Sequence, residues 1–249
     1  MMEHFTWTPE RLMELVKRNF GRLCRAEQIY PWEDAYNVAC EIGKNAVPKF
    51  TIDDGNRFAY EQIARWLVSD TSFQSNEPDS EGTKRGILVK GIYLQGSTGS
   101  GKTLCLDIFN VVAKAMRLAV YSPAFPREQA INDNINQRAG ELHWKSVKAE
   151  DICQEYEKTG DIDEYKKTPV LCIQDLGSEP TESLYMGSRR NVLRVIIEAR
   201  GDRSDLLTLF TSNIPLSKLS TYYGDRAQSR LVSMCNVITL CGKDRRVEK

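Results

Sequence analysis

The stretch "GIYLQGSTGSGKT", residues 91–103, joins an apolar strand pattern to a glycine-rich loop. Its last eight residues match the phosphate-binding pattern GxxxxGK[ST], and a chance match in a chain of this length has a probability of about 1%. Glycines let backbone N–H groups converge on phosphate oxygens, and the helix that follows directs the positive end of its dipole at them. The stretch therefore predicts an ATP site formed by Gly96, Ser97, Thr98, Gly99, Ser100, Gly101, Lys102 and Thr103.

Two residues of this phosphate loop (Gly96–Thr103) have separate chemical roles. Lys102 is expected to reach the β- and γ-phosphates, and the Thr103 hydroxyl is expected to bind Mg²⁺. The flanking sequence supports this interpretation, because a strand-like run, "ILVKGIYL", precedes the loop and a helical pattern, "TLCLDIFNVVAKAM", follows it. ATP and Mg²⁺ are thus the predicted ligands.

Short apolar runs alternate with helical patterns over the rest of the chain, which is typical of a parallel α/β sheet. The predicted strands are residues 87–94, 118–121, 170–173, 206–210 and 237–240. Helical patterns precede them, from Thr8 to Leu23, over 32–46 and over 56–68. The polar residues 69–86 are typical of an exposed loop, and the weakly periodic residues 122–145 are interpreted as an insertion without an assigned role.

The composition limits the classes of function. The chain has 249 residues with 34 Lys and Arg and 34 Asp and Glu, so contact with nucleic acid requires a local patch of charge. Seven cysteines without CxxC spacing and only two histidines indicate reduced thiols, and no zinc site is expected. Since no secretory signal or run of about 20 apolar residues occurs, we expect a soluble cytoplasmic protein without membrane contact.

The run "VLCIQDLGSEP", residues 170–180, differs from the usual pattern of a nucleotide-hydrolysing enzyme. Such enzymes place two neighbouring acids at the end of a strand, one for the metal ion and one for the attacking water. Here the first position is Gln174, whose carbonyl oxygen can hold a metal-bound water but carries no charge. Asp175 is then expected to act as Mg²⁺ ligand or as the water-activating acid, and Glu179 is a weaker candidate because a glycine turn separates it.

Polar residues near the C-terminal end complete the predicted site. Asn213 follows a buried strand, where its amide is expected to contact the γ-phosphate or the attacking water, although Asn-Ile-Pro is also an ordinary turn. Arg226 and Arg230 lie four residues apart on one helical face, as a solvated pair or as an arginine finger for a neighbouring subunit. The arginines of residues 188–200 are expected to be solvated, or else to contact DNA phosphates.

Several motifs in this order resemble one branch of the AAA+ ATPases. They are "GIYLQGSTGSGKT", "VKAEDICQEYEKTGD", "VLCIQDLGSEP", "LFTSNIP", "YYGDRAQSRL" and "VITLCGKDRR", which extend from about residue 49 to residue 249. The phosphate loop alone is generic, whereas the glycine after Gln174-Asp175 and the closing "GDRAQSRL…ITLCGKDRR" are similar to the DnaC/IstB branch. This branch comprises bacterial and phage helicase loaders and transposition helper ATPases.

The resemblance implies an α/β fold of the P-loop NTPase, AAA+ type, with a five-stranded parallel sheet flanked by helices. It also implies an ATPase core over 49–249, a small N-terminal helical region over 1–48 and no C-terminal lid domain. Lys102 and Thr103 then match the Walker A residues, Asn213 the sensor-1 position and Arg230 the arginine finger. Asp175 matches the second, water-activating acid, and Gln174 replaces the first, so hydrolysis is expected to be weakened.

The function that the resemblance implies is ATP-dependent loading of a replicative helicase onto single-stranded DNA. ATP would promote head-to-tail assembly, and residues 1–48 would bind the helicase, or else form a small helical cap on the core. A transposition helper that binds duplex DNA and recruits a transposase is the alternative within the branch. A nucleotide-gated binding module with little hydrolysis is the alternative outside it, and Gln174 favours it.

Overall fold

The computed structural model describes residues 22–78, 82–126, 138–242 and 244. The strands in this part of the chain are β1 (Cys24–Arg25), β2 (Gly91–Gln95), β3 (Ala119–Ser122), β4 (Arg138–Glu141), β5 (Lys145–Lys148), β6 (Val170–Leu176), β7 (Ser183–Tyr185), β8 (Ser188–Arg190), β9 (Leu207–Ser212) and β10 (Cys235–Thr239). The helices are α1 (Trp32–Ala46), α2 (Arg57–Leu67), α3 (Lys102–Ala115), α4 (Ala149–Thr159), α5 (Asp163–Lys167), α6 (Val192–Gly201) and α7 (Ser220–Met234). A short 3₁₀ helix, Leu216–Lys218, precedes α7. The predicted helix from Thr8 to Leu23 lies outside the described residues, apart from its last two.

A five-stranded parallel sheet in the order β10-β2-β9-β6-β5 forms the centre of the molecule. Side chains alternate between its two faces, because successive residues of a strand point in opposite directions. In β2, Ile92 and Leu94 join a core with α1, α2 and α3, whereas Tyr93 joins a core with α4, α6 and α7. The structure is thus an α/β fold whose parallel sheet is covered by helices on both faces, as the sequence predicts.

The predicted strands 170–173, 206–210 and 237–240 are confirmed as β6, β9 and β10. The predicted strand 87–94 is too long, because β2 begins only at Gly91. Residues 87–90 form a turn in which the N–H of Lys90 donates to the carbonyl of Ile87 at 3.0 Å, and the Ile87 and Val89 side chains are exposed. The apolar residues of this exposed turn extend the apolar run of β2, and the sequence pattern therefore predicts too long a strand.

The prediction for residues 118–121 was correct in type but wrong in placement. β3 forms here, yet it pairs antiparallel with β1 and β4 in a separate three-stranded sheet. The fifth parallel strand is β5 instead, with the sequence "KSVK". It begins at Lys145, the last residue of the segment 122–145 for which the sequence predicts an insertion, and that segment also contains β4. Because β5 lies at the edge of the sheet and is mostly exposed, its sequence lacks the apolar run of an inner strand.

The described residues before Pro48 pack on the rest of the core. In α1, Ala35 and Ala39 are completely buried, and Gly43 lies against the ring of Phe50, where an added Cβ would be 2.5 Å from the nearest ring atom. The guanidinium group of Arg25 donates to the carbonyls of Trp66 and Leu67 at the C-terminal end of α2. α1 and α2 thus belong to a helical layer on the sheet. This packing fixes the position of the residues that follow α1.

Arg200, predicted to be solvated or to contact DNA, belongs to α6, and its side chain is buried. Its guanidinium group donates to the Thr208 hydroxyl at 2.8 Å and to three carbonyl oxygens, those of Tyr165, Thr168 and Leu207. Burial lowers the pKa of Arg200 to about 9, and the carbonyl dipoles solvate the charge in place of water. Arg200 therefore joins α6, the end of α5 and β9, and it is unavailable to DNA.

All seven cysteines lie in the described ranges, and they are thiols that form no disulfide there. Cys105, Cys153, Cys172 and Cys235 are buried in the two cores, Cys24 and Cys40 are partly exposed, and Cys241 is exposed. Burial raises the pKa of the four core thiols, to about 11 for Cys153 and further for the others. No described helix has the length and the apolarity needed to cross a lipid bilayer.

Candidate nucleotide-binding site

The phosphate loop connects the carboxyl end of β2 to the first residue of α3. Gly99 and Gly101 adopt φ angles of +76° and +94°, in the left-handed region that favours glycine. At Gly96 the limit is space, because an added Cβ would lie 2.2 Å from the carbonyl oxygen of Leu240. Three of the eight predicted loop residues are thus glycine for a geometric reason. The loop lies at the carboxyl ends of the strands, which is where ligands bind in folds with a parallel sheet.

The side chain of Lys102 is buried and lies within the loop. Its ammonium group donates to the carbonyl oxygens of Gly96 at 3.0 Å and Ser97 at 2.8 Å. It also donates to Oδ1 of Asn213 at 2.7 Å, and Asn213 directly follows β9, the neighbour of β2 in the sheet. Two residues 111 positions apart in sequence therefore meet at the loop.

A cavity of about 630 Å³ opens beside this contact. One wall is polar and contains residues 98–103 of the loop together with Asp107, Asp175, Ser178 and Asn213. A second wall comes from residues 47–60, from the residue after α1 to the first turn of α2, and contains the polar Lys49, Thr51 and Asn56. It includes Val47, Phe50 and Tyr60, and the last two rings pack edge to face with their centroids 5.8 Å apart. A cavity that combines the polar phosphate loop with an apolar patch of Val47, Phe50 and Tyr60 suits a ligand that carries phosphates at one end and a flat base at the other.

Asp175 lines the cavity from a distorted end of β6. The pairing of β6 with β9 shifts register between Ile173 and Leu176, and Asp175 has a φ angle of +55°. Its N–H donates to the Thr211 hydroxyl at 2.9 Å, and its carbonyl accepts from the Ser178 hydroxyl at 2.7 Å. A left-handed non-glycine residue costs on the order of 1 kcal/mol, and such strain is often found where a side chain has a function.

Gln174 has a different environment from Asp175. Its side chain is buried, does not line the cavity, and donates from Nε2 to Oδ1 of Asp107 at 2.9 Å. Asp107 lies one helical turn after Thr103 in α3 and does line the cavity. Burial raises the pKa of the Asp107 carboxyl, and hydrogen bonds from Gln174 and Ser146 oppose this rise.

Asp107 and the wall of residues 47–60 are parts of the cavity that the sequence patterns do not single out. A single acid within the helical pattern "TLCLDIFNVVAKAM" reads as an exposed position. The only signal is its spacing of four residues from Thr103, which puts both side chains on the same helical face.

Glu179, the weaker candidate for a catalytic acid, braces the turn after β6. One of its carboxylate oxygens accepts from the N–H of Gly177 at 2.8 Å, and the other accepts from the hydroxyl of Tyr223 in α7. Burial, followed by the nearby Glu179 charge, raises the pKa of Tyr223, so the phenol stays protonated and remains a donor. Both oxygens of Glu179 are therefore occupied by contacts that fix the turn carrying Asp175.

The donor set of the polar wall fits Mg²⁺. The hydroxyl of Thr103 and the carboxylates of Asp107 and Asp175 offer oxygen ligands, which this small, hard cation prefers. Within the described ranges, no group of three or more His, Cys, Asp and Glu side chains is arranged as a metal site. Mg²⁺ usually takes one or two carboxylates and completes its coordination with phosphate oxygens and water, and Asp107 and Asp175 offer two carboxylates.

The C-terminal segment lies over the phosphate loop. The Ser97 hydroxyl donates to the carbonyl of Gly242 at 3.0 Å, and the carboxylate of Asp244 lies against Gly99. A Cβ added to Gly99 would be 2.0 Å from Oδ1 of Asp244. An anionic group thus lies beside the backbone that the GxxxxGK[ST] pattern assigns to phosphate.

Comparisons with solved structures give three similar chains. One, described as a primosome component from Streptococcus pyogenes serotype M3, is 20% identical over 78% of this chain and 84% of that chain, with a TM-score of 0.48. A second is the DnaC helicase loader, 17% identical over 84% of this chain and 99% of that chain, with a TM-score of 0.47. The likeness is one of fold.

A third similar structure is AMPPCP-bound DnaA from Aquifex aeolicus. It is 20% identical over 78% of this chain and 48% of that chain, with a TM-score of 0.45. No family model matches the chain, and no curated protein matches it.

Arg230 lies in α7 and does not line the cavity. It forms an ion pair with Asp202 at the end of α6, at 2.5 Å, and its stem packs over Gly201. Arg226 contacts the same Asp202 at 3.5 Å, as expected for two residues on one helical face. Among the described residues, Nε of Arg230 is buried without a hydrogen-bond partner. The structure therefore brings the loop, Asp175 and Asn213 together and leaves Arg230 outside.

Proposed function

We propose that the chain binds ATP with Mg²⁺ in this cavity and hydrolyses it as an AAA+ ATPase of the helicase-loader type. The observation that carries the proposal is the complete phosphate loop, with Lys102 buried in it and bonded to Asn213. Asp175 lines the same cavity and is the candidate for activating the attacking water.

Each part of the cavity has a task in this proposal. The loop N–H groups and the N-terminal end of α3 bind phosphate oxygens, and the ammonium of Lys102 moves from the carbonyls of Gly96 and Ser97 to those oxygens. The apolar patch of Val47, Phe50 and Tyr60 receives the base. Bound Mg²⁺ supplies positive charge against the phosphates, while Asn213 orients the γ-phosphate or the water.

Loading of a replicative helicase onto single-stranded DNA is the proposed biological role, in the cytoplasm. The motifs that resemble the DnaC/IstB branch support it. Arg230 is proposed to act on the phosphates bound by the next copy in a head-to-tail assembly, because it lies outside its own cavity. Its ion pair with Asp202 is half-exposed, so breaking the pair costs less than about 1 kcal/mol. Residues 1–48 are the proposed contact with the helicase.

A nucleotide-gated binding module with little turnover is the second candidate, and a specific observation favours it. The side chain at the position of the first acid, Gln174, is neutral and is bonded to Asp107 instead of lining the cavity. If the site cannot hold Mg²⁺ productively, ATP binding alone would set the conformation.

Steady-state ATP hydrolysis over a range of protein concentrations, with and without single-stranded DNA, tests the first candidate. Lys102→Ala serves as the blank, since it removes the positively charged ammonium group that is expected to contact the phosphates. Turnover per molecule that exceeds the blank and rises with protein concentration is expected. A flat rate at the level of the blank, with ATP still bound by the wild type, would establish the gated module instead.

The DNA substrate and the partner distinguish the two family roles. Preference for single-stranded over duplex oligonucleotides in an anisotropy titration, together with co-purification of a hexameric helicase, is expected for a loader. Preference for duplex DNA and recovery of a transposase would identify a transposition helper.

A further inference from the structure

The side chains of Thr103 and Asp107 both face the cavity from α3. Residues four apart on a helix are neighbours on one face, about 6 Å apart between their Cβ atoms. The hydroxyl expected to bind Mg²⁺ thus has a carboxylate beside it on its own helix. Asp107 thus lies on a helix, whereas the motif places its two acids at the end of the strand β6.

The hydrogen bond between Gln174 and Asp107 has only one possible direction when the carboxyl is ionised. An ionised carboxylate accepts and cannot donate, so the amide NH₂ of Gln174 must face Asp107, as it does at 2.9 Å. Glutamine at this position therefore donates to the acid and orients it. An aspartate at position 174 would instead put two like charges next to each other.

The number of acids in the cavity fits the same interpretation. Asp107 and Asp175 both line it, so two carboxylates face the ligand even though position 174 is neutral. We propose that Asp107 supplies the Mg²⁺-associated carboxylate of this site, directly or through a metal-bound water, and that Gln174 positions it. The proposal rests on the proposed function, since it assigns the metal ligand of that same ATP site.

The test is the Mg²⁺ dependence of nucleotide binding, measured with a ribose-labelled fluorescent ATP in MgCl₂ and in EDTA. For the wild type, binding is expected to be tighter in MgCl₂. Asp107→Asn keeps the size of the side chain and an acceptor for Gln174, so the fold is retained, and melting in the absence of nucleotide checks this. The ratio of the two dissociation constants is expected to fall about tenfold or more. Asp151→Asn, at an exposed position of α4, is the matched control and leaves the ratio unchanged.

A double variant moves the carboxylate back to the strand. Asp107→Asn combined with Gln174→Asp restores an acid at the first position of the motif, with an amide facing it from α3. The Mg²⁺ dependence is expected to return to within a few-fold of the wild type. Mn²⁺ bound in the presence of ATP, followed by electron paramagnetic resonance, is expected to show the same loss and recovery.

Three outcomes distinguish a failure of this inference from a failure of the function on which it rests. If Asp107→Asn keeps the wild-type ratio while Lys102→Ala abolishes nucleotide binding, the site is an ATP site and Asp107 is not its acid. If the double variant fails to recover Mg²⁺ dependence although it melts like the wild type, the inference also falls. If Lys102→Ala binds the fluorescent nucleotide as the wild type does, the proposed function itself is wrong.

Discussion

Single residues in this site are constrained by space and charge more than by apolar burial. Gly99 combines a left-handed φ angle with the close approach of the Asp244 carboxylate, so two separate limits act on one position. Gly187, in the turn between β7 and β8, has a similar φ of +81° but open space around it. The two glycines share the backbone constraint and differ in the steric one.

Gly99→Ala is therefore expected to differ from Gly187→Ala in binding and to resemble it in backbone strain. Each substitution strains a left-handed residue and lowers the free energy of unfolding by about 1 kcal/mol. Only Gly99→Ala displaces Asp244 and narrows the approach of phosphate, so only this variant loses affinity for ATP. Thermal unfolding and titration with fluorescent ATP measure the two effects, and equal affinity in the two variants would contradict the assignment of the loop.

At the scale of elements, α6 is fixed to the sheet through Arg200, whose four hydrogen bonds end on α5, the loop after it and β9. Arg194 in the same helix is half-exposed and forms an ion pair with Glu198, one turn away. The helix thus carries one arginine that holds the fold and one that is solvated, and both belong to the same run of basic residues in the sequence.

Arg200→Met is expected to lower the free energy of unfolding by about 3 kcal/mol, because three carbonyls and a hydroxyl lose their donor in a buried place. Arg194→Met, on the same helix, removes an exposed ion pair and is expected to cost less than about 1 kcal/mol. Denaturant unfolding monitored by circular dichroism compares the two variants. Similar losses of stability would show that the Arg200 hydrogen bonds contribute little.

The elements that the sequence predicts well are those with a strong local pattern. α1 and α2 follow from their helical periodicity, and β6, β9 and β10 follow from apolar runs. β5 escapes prediction because an edge strand is half solvated, and β3 is misplaced because an apolar run does not specify its partner strand. In the site, the phosphate loop follows from spacing alone, whereas the pair of Asp107 and Gln174 spans 67 residues and requires the packed sheet.

At the scale of the whole molecule, neither arginine of the pair in α7 lines the cavity of its own chain. Arg226 and Arg230 share Asp202, yet Arg226 is the more exposed of the two, and Arg230 has a buried Nε without a partner in the described part of the chain. In an assembly of identical copies, we therefore expect Arg230, and not Arg226, to contact the phosphates of the next copy.

Arg230→Ala is expected to abolish the rise of turnover with protein concentration and to leave ATP binding unchanged, because the residue acts on the next copy. Arg226→Ala loses its ion pair with the same Asp202, and a further one with Glu198, and is expected to keep the concentration dependence. Hydrolysis rates from low to high protein concentration, together with binding of fluorescent ATP, make the comparison. Loss of ATP binding in Arg230→Ala would argue against action between copies.

The exposed Cys241 has a practical consequence for chemical labelling. It lies between the end of β10 and Gly242, whose carbonyl accepts from Ser97 of the phosphate loop. Thiol reagents attack the thiolate, and the four core thiols are both buried and raised in pKa, so they resist alkylation while the fold is intact. After replacement of the partly exposed Cys24 and Cys40 by serine, a maleimide dye or a nitroxide attaches at one position. The native sequence thus already contains a reporter thiol within reach of the loop that binds phosphate.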